Sequence, residues 1–503
     1  MANATPPPAP RDLTRRIARA DQDKQRRRGR LDDCYRLAMP WRHLTDRHQD
    51  DPTAQDDVFD GTAVVSVKDF AGDLLSTFTP PSATWMRLEP DQGLGDAALR
   101  ELEGPLEEIE ATVMEAMAAS NLYEALQVGY ADLAVGTMAL LVQDIDPTEP
   151  IHVEAISVSD LLVDRGPYGR VDGRWRKFKL RADEVPILWP DANTGSLPKT
   201  GDAEVDVTDG LYRDLTRRDD EVWKYAVLCG GKALVQRELV GEGACPIIVA
   251  RWDTDAKTAW GHGPLMSVLP EVKTANYVTE RMLEALDYAL QPVTSYPDDG
   301  VIDVSGGIAP GTWIPMAQGS EIRPIVSGAN FDVSQFSLQD LRSRIRDALF
   351  QDAPRQNGLT PPTATQWQEQ AAAKAKRMGA PVGRLVTELL RPLFLRFAFL
   401  LRARGKLPAQ VRFKGQPVKL RAQSPLLKAM QQSEAQRVDQ FLVTTSQTVG
   451  PETTAMWIDM EEALRYRAQL YDIPAKLVRT QAQVQQIIAQ QQALQAPPVE
   501  PQQ

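Results

Sequence analysis

Four histidines and three cysteines are the chain's whole stock of soft metal ligands and easily activated nucleophiles. His43 and His48, beside Asp46, Asp50 and Asp51, could be drawn around a divalent ion, but they complete no zinc pattern, and an exposed acidic loop is the plainer account. His152 and His262 are solitary, with no GxSxG or Cys/His signature near them. Cys34, Cys229 and Cys245 form no CxxC pair and are odd in number, which argues for a reducing compartment and against a disulfide scaffold or zinc ribbon. GGKAL around Lys232 is the nearest approach to a phosphate loop. A Walker A loop needs GxxxxGK[ST] between a strand and a helix; here Ala233 stands in place of the hydroxyl, and the setting is a hairpin. The carboxylates Asp56, Asp57 and Asp60, and Asp253 with Asp255, have nothing to fix a metal's geometry. These residues predict no catalysis, no cofactor and no resident metal.

What remains is charge. Lys and Arg number 57 against 68 Asp and Glu, a formal charge of −11, whereas a protein that grips DNA statically is usually basic, because its affinity comes from neutralising phosphates. Residues 11–30 run the other way, with nine Lys or Arg against three Asp at helical spacing. That stretch is either a patch for DNA or a partner, or a solvated helix face paired with nearby Asp residues.

At 503 residues the chain exceeds one compact core, so two or more modules are expected. With 43% hydrophobic and 25% charged residues it reads as globular. MANATPPPAP lacks the apolar core of a signal peptide. Residues 1–10 and 496–503 read as disordered. LVTELLRPLFLRFAFLL is interrupted by Glu388, Arg391, Pro392 and Arg396, which suits a buried helix better than a membrane span.

The positioning elements follow from periodicity. Gly263-Pro264 opens a helix in which Leu265, Leu269, Val272, Ala275, Met282, Leu286 and Leu290 keep a 3.6-residue period, and Pro270 should kink or restart it. Residues 293–333 are rich in Gly, Pro, Val and Ile, the composition of short strands joined by tight turns. Helical period returns around 335–351, with Ser337 and Asp340 spaced as a capping box. A Pro/Gly/Asn segment (QDAPRQNGLTPPT) precedes a long helix to about Arg404. Earlier, a helix over 62–78 ends at Pro80-Pro81, a helical region over 96–136 breaks at Asn121, and residues 137–252 read as strands with one wet face, including a hairpin turning at Gly230-Gly231. Residues 409–422 read as a hairpin about Gly415, and 424–494 as helices.

Four stretches, AWGHGPLMSVLPEVKTAN (259–276), PPTATQWQEQ (361–370), GRLVTELLRPLFLRFAFLL (383–401) and LYDIPAKLVRTQAQV (470–484), resemble the portal, or head-to-tail connector, proteins of tailed bacteriophages, most closely the short-tailed, podovirus-type ones. The resemblance covers about residues 10–490; Gln366 departs from it, where an acidic residue would be expected. It implies an α+β, mainly helical portal fold: wing 11–263, stem helix one 264–291, clip 292–333, stem helix two 334–352, tunnel loop 353–362, long wing helix 363–408 and crown 409–495. It further implies a homododecameric ring at one capsid vertex of the virion, assembled in the host cytoplasm. Double-stranded DNA would pass through it, and terminase large subunit, tail adaptor and tail proteins, scaffolding, internal core and major capsid proteins would be its partners, with no membrane. On that frame Arg355, Gln356, Asn357 and Gly358 would face DNA from the tunnel loop, and Arg342, Arg344 and Arg346 would line the stem unless Asp340, Asp347 or a neighbour pairs them. Asp298, Asp299, Trp313 and Arg323 would meet clip partners. The rival classes are a nucleic-acid-processing enzyme and another head–tail component.

Overall fold

The computed structural model describes residues 11–42, 57–90, 96–145, 151–198, 200–217, 220–292, 294–297, 313–316, 323–324, 331–351, 377–408, 412–413, 416–423, 438–448 and 450, with 457–458, 463–464 and 466–467. The first elements are α1 (Arg11–Ala38), α2 (Thr62–Thr77), β1 (Met86–Pro90), α3 (Asp96–Ala118), α4 (Leu122–Val135), β2 (Thr137–Gln143), β3 (His152–Ala155), β4 (Leu161–Arg165) and β5 (Val171–Arg181). Then come α5 (Val185–Leu188), β6 (Glu204–Arg213), β7 (Val222–Cys229), β8 (Lys232–Val240), β9 (Ile247–Arg251), β10 (Asp253–Thr254), β11 (Gly261–His262), α6 (Pro264–Ser267) and α7 (Leu269–Leu290). Last are β12 (Thr294–Pro297), β13 (Trp313–Met316), β14 (Arg323–Pro324), α8 (Phe331–Ala348), α9 (Gly379–Leu385), a π-turn (Val386–Leu390), α10 (Arg391–Ala403), β15 (Arg412–Phe413) and β16 (Gln416–Ala422). The α+β expectation holds. The chain forms two compact units, one of 1–75, 116–355 and 381–403, the other of 76–115, 356–380 and 404–503.

The first unit holds an antiparallel sheet in the order β4-β5-β6-β7-β8. The β7–β8 turn has Gly230 and Gly231 at φ 55° and 77°, the two positive values a type I′ turn requires. Both faces of the sheet are covered, which corrects the expectation of one wet face. Leu13 and Ala20 of α1 pack on Leu162, Trp175, Ala226 and Leu228, while Val185 and Trp189 pack with Val205, Val207, Val227 and Val235. Alternation failed as a guide because basic residues of β5 engage carboxylates: Arg176 donates to Asp209 at 2.7 Å, its direct cross-strand partner, and to Glu154 at 3.1 Å.

A second sheet, β3-β2-β9, carries α4. The apolar helix that had to be buried lies here: Leu385, Leu389, Leu390, Leu393 and Phe397 are fully buried. Glu388, in the π-turn, accepts from the backbone amide and guanidinium of Arg251. Arg396 donates to the carbonyls of Val142, Gly243 and Ala244; burial lowers its pKa to about 10. Among the described residues no helix is long and apolar enough to cross a membrane.

In the second unit β16 pairs antiparallel with both β1 and β15. The β15–β16 hairpin was expected; its pairing with β1, which joins residues of the expected wing and crown, was not. The α3 stripe of Leu106, Ile109 and Val113 is buried as its spacing predicts.

Candidate functional site

The site is the segment that carries the insert between two helices, and its geometry begins at WGHGP. Gly261, Gly263 and Gly136 let two backbones touch. A Cβ on Gly261 would stand 2.0 Å from the Gly136 carbonyl oxygen, and one on Gly263 2.1 Å from that of Ala134. The close approach is locked by the Gly261 amide donating to Thr137 Oγ1 at 2.8 Å and the Gly263 amide to the Val135 carbonyl at 2.9 Å. Pro264 then starts α6, which stops at Val268, and Pro270 sits in the first turn of α7. The proline restarts the helix, as its missing N–H allows only there.

At about 1.5 Å per residue α7 is roughly 33 Å long. Leu269, Val272 and Ala275 are buried at its start. Beyond them Leu283, Leu286 and Leu290, within one narrow stripe, are 46%, 45% and 71% exposed. Helix α8 packs beside α7; Leu338 and Ile345 on it and Leu349 just past its end are buried, as the leucine spacing predicts, while Leu341 of the same spacing is only half-buried. It begins at Phe331, however, so Ser337 lies inside it and caps nothing. Its far end is closed by Phe350 at φ 61°, a left-handed value unusual for a bulky residue. The Phe350 ring lies 6.5 Å from Phe70 and 5.7 Å from Trp252, centroid to centroid.

A polar junction ties the pair to the start of α2. Asn276 accepts from the amides of Phe59 and Asp60 at 2.7 and 3.1 Å and donates to the Asp57 carbonyl at 3.0 Å. Asp60, buried, accepts from the Thr62 amide at 2.9 Å and from Arg342 Nε at 2.8 Å; the Thr279 hydroxyl lies 3.4 Å from it and also donates to the Ala275 carbonyl at 2.8 Å. Burial pushes the Asp60 carboxyl up, but the Thr62 hydroxyl and amide and the Arg342 guanidinium outweigh it and hold the group below its usual range. Lys273 bonds Asp33 of α1. Sequence reasoning weighed Asp60 only as a metal carboxylate and missed Asn276 and Thr279; the available signal for the junction was Asp-Gly-Thr at a helix start.

The predicted site residues divide accordingly. Arg342 is committed to Asp60, Arg344 pairs with Asp340 at 2.9 Å on the surface, and Arg346 is exposed in the last turn of α8. Trp313 and Arg323 lie on β13 and β14, on either side of β12, opposite Thr294 and Ser295 respectively. The insert is β-structured as expected, but β12 and β13 run parallel, so tight turns alone cannot join them. Asp298, Asp299, Arg355, Gln356, Asn357 and Gly358 lie outside the described residues, as do His43 and His48. His262 shares a hydrogen bond with Ser267 at 3.0 Å, Asp253 pairs with Arg384, and among the described residues no His, Cys, Asp and Glu group could hold a metal ion.

Comparisons with known proteins bear on this arrangement. The chain is 25% identical over 478 residues to the probable portal protein of Bordetella phage BPP-1, covering 87% of this chain and 84% of that one. It is 24% identical over 487 residues to the portal protein of Salmonella phage epsilon15, covering 89% and 84%. A chain in the neck of an empty GTA particle computed with C6 symmetry aligns at 14% identity and TM-score 0.40 over 79% of this chain and 90% of that one. Another, in the neck of a native GTA particle computed with C12 symmetry, aligns at 16% identity and TM-score 0.36 over 84% and 93%. The model of the family described as bacteriophage head to tail connecting protein matches residues 11–478, and with nearly the whole chain inside that match, the protein belongs to the head-to-tail connecting proteins of bacteriophages.

Proposed function

We propose that this chain is a portal subunit: about twelve copies close head to tail into a ring around an axial channel at one capsid vertex. The observation that carries the reading, beside the family, is the leucine stripe of α7, an apolar surface at least 45% exposed at Leu283, Leu286 and Leu290 that a neighbouring copy would bury. In this reading 264–291 and 334–352 are the stem, 292–333 the clip, 353–362 the tunnel loop, 363–408 the long wing helix, 11–263 the wing and 409–495 the crown. The clip, with Asp298, Asp299, Trp313 and Arg323, serves terminase during packaging and the tail adaptor afterwards. Capsid, scaffolding and internal core proteins would meet other surfaces.

Twelve copies at −11 carry 12 × −11 = −132, so duplex DNA is repelled from most of the wall. Weak adhesion suits a conduit, where each strong phosphate contact would be a stopping point. Arg344, Arg346 and the loop residues Arg355, Gln356 and Asn357 are the proposed DNA contacts; the charge of Arg342 is already answered by Asp60. The chain supplies passage and attachment, and the work of moving DNA comes from a separate motor. The test is DNA yield and retention in particles assembled with Arg355→Ala or Arg344→Ala/Arg346→Ala chains. Reduced yield or retention is expected; unchanged values in both remove the DNA contacts, and particles that fill normally without the chain remove the portal reading.

A further inference from the structure

We propose that Phe350 is a latch: its ring, seated against Phe70 and Trp252, holds the turn after α8 left-handed, and unseating the ring lets α8 run on through residues 350 and 351. Among the described residues Phe350 is the one non-glycine with a positive φ, 61°. The Leu349 amide still donates to the Ile345 carbonyl at 3.2 Å, as in a helix. One residue later the pattern crosses over, with the Phe350 amide donating to the Asp347 carbonyl at 3.3 Å and the Gln351 amide to that of Arg346 at 2.9 Å. Crossed bonds of this kind close a helix whose next residue is left-handed, a place glycine commonly fills because it has no Cβ. In phenylalanine the same conformation is disfavoured about tenfold, so a contact outside the turn must hold it there.

That contact is the ring. It lies stacked on Phe70, with centroids 6.5 Å apart and planes at 29°, and tilted against Trp252 at 5.7 Å; Phe70 and Trp252 themselves meet edge to face at 5.2 Å. The seat is buried and comes from elsewhere in the chain, Phe70 from α2 and Trp252 from the residue after β9. Gln351 adds a longer side-chain bond to Asp73 at 3.3 Å. Backbone hydrogen bonding favours neither form. With residue 350 right-handed, its amide would take the Arg346 carbonyl and the Gln351 amide that of Asp347, so the same two donors and two acceptors merely exchange partners. Phe350 would then share a face with Arg346, four residues before it and exposed, and its ring would leave the seat. The two forms therefore differ in the backbone of one residue and the place of one ring. Ring burial selects the left-handed form and chirality the right-handed one, which makes the end of α8 a two-state element.

The test separates the ring from the backbone in the full-length protein. Phe350→Ala removes the ring but keeps the penalty on a left-handed residue, whereas Phe350→Gly removes both. Structures of the two variants, by crystallography or cryo-electron microscopy, should differ. In Phe350→Ala residue 350 is expected to be right-handed by about ten to one, with the Gln351 amide on the Asp347 carbonyl; in Phe350→Gly the crossed bonds should persist. Phe350→Tyr keeps the ring and should match the parent chain. A left-handed residue 350 in Phe350→Ala, or a right-handed one in Phe350→Gly or Phe350→Tyr, overturns the proposal. The latch is internal to one chain, so its failure leaves the portal reading standing.

Discussion

Asp60→Asn isolates the junction that fixes α7 and α8 to α2. Asparagine keeps the volume and the oxygen that receives the Thr62 amide at 2.9 Å, but it replaces the oxygen facing Arg342 Nε at 2.8 Å by an amide donor or an uncharged acceptor. A charge-assisted hydrogen bond contributes about 1.5–3 kcal/mol. The Arg342 side chain is 36% exposed and can turn to water, so the lower part of that range applies, about 2 kcal/mol. Arg342→Met leaves the buried carboxylate with Thr62 and Thr279 and should cost a similar amount. The double variant should cost less than the two together, with a coupling of about 1–1.5 kcal/mol. A chain of two compact units need not unfold in one step, so the readout is amide exchange by mass spectrometry on peptides covering 57–66 and 338–349. Each variant should speed exchange there by roughly tenfold or more, since about 1.4 kcal/mol is a factor of ten. A carboxyl held below its usual range contributes stability that is present above its ordinary value of 3.8 and is lost as pH falls through the lower folded value. Protection should therefore be level from neutral pH down to about 5 and drop below about 4, and Asp60→Asn should remove that acid-side drop. Additive costs in the cycle, or unchanged exchange in both peptides, would refute the junction.

Three further outcomes follow from particular contacts. Leu283→Asp/Leu286→Asp should leave the isolated chain's melting almost unchanged, within about 0.5 kcal/mol because the stripe is exposed; it should abolish the large assembly on size-exclusion chromatography, since burying each leucine contributes up to about 1.5–3 kcal/mol. Gly261→Ala, whose Cβ would meet a carbonyl oxygen at 2.0 Å, should destabilise by about 3 kcal/mol in thermal melts, whereas Gly383→Ala, a helical glycine with open space around it, should be neutral or stabilising by about 0.5–1 kcal/mol. Burial pushes the Cys34 thiol up to about 12 and also raises that of buried Cys245, so alkylation of the native protein at pH 8 should label half-buried Cys229 first, with the other two reacting only in denaturant, read by peptide mass spectrometry.

Local signals carried the local structure. Pro270 announced the restart of α7, Gly230-Gly231 the hairpin, Asn121 the break between α3 and α4, and the leucine spacing the buried faces of α8 and α10, because each depends on residues within a turn or two. What could not be read rests on distant partners. Ser337 looks like a cap, but the helix has already begun at Phe331. The alternation in β5 promised a wet face, yet α1 arrives from more than a hundred residues upstream to cover one side. Strand β6 fell within the stretch read as strands without being singled out, although Glu204 to Thr208 alternate, and the pairing of β1 with β16 spans over three hundred residues. At the junction, Asp60 reads as an ordinary turn carboxylate until Arg342 and Thr279 are brought to it by packing. The arginines of α8 share the problem: spacing placed them on faces, but only the fold showed which were already neutralised.

Cryo-electron microscopy of the purified full-length protein tests the ring most directly. The expected particle has a central hole, rotational symmetry near twelvefold and a mass near 12 × 55.8 kDa, about 670 kDa, with Leu283, Leu286 and Leu290 of each α7 against the next copy. A particle of 55.8 kDa at working concentration, or a closed assembly in which that stripe still faces solvent, would contradict it.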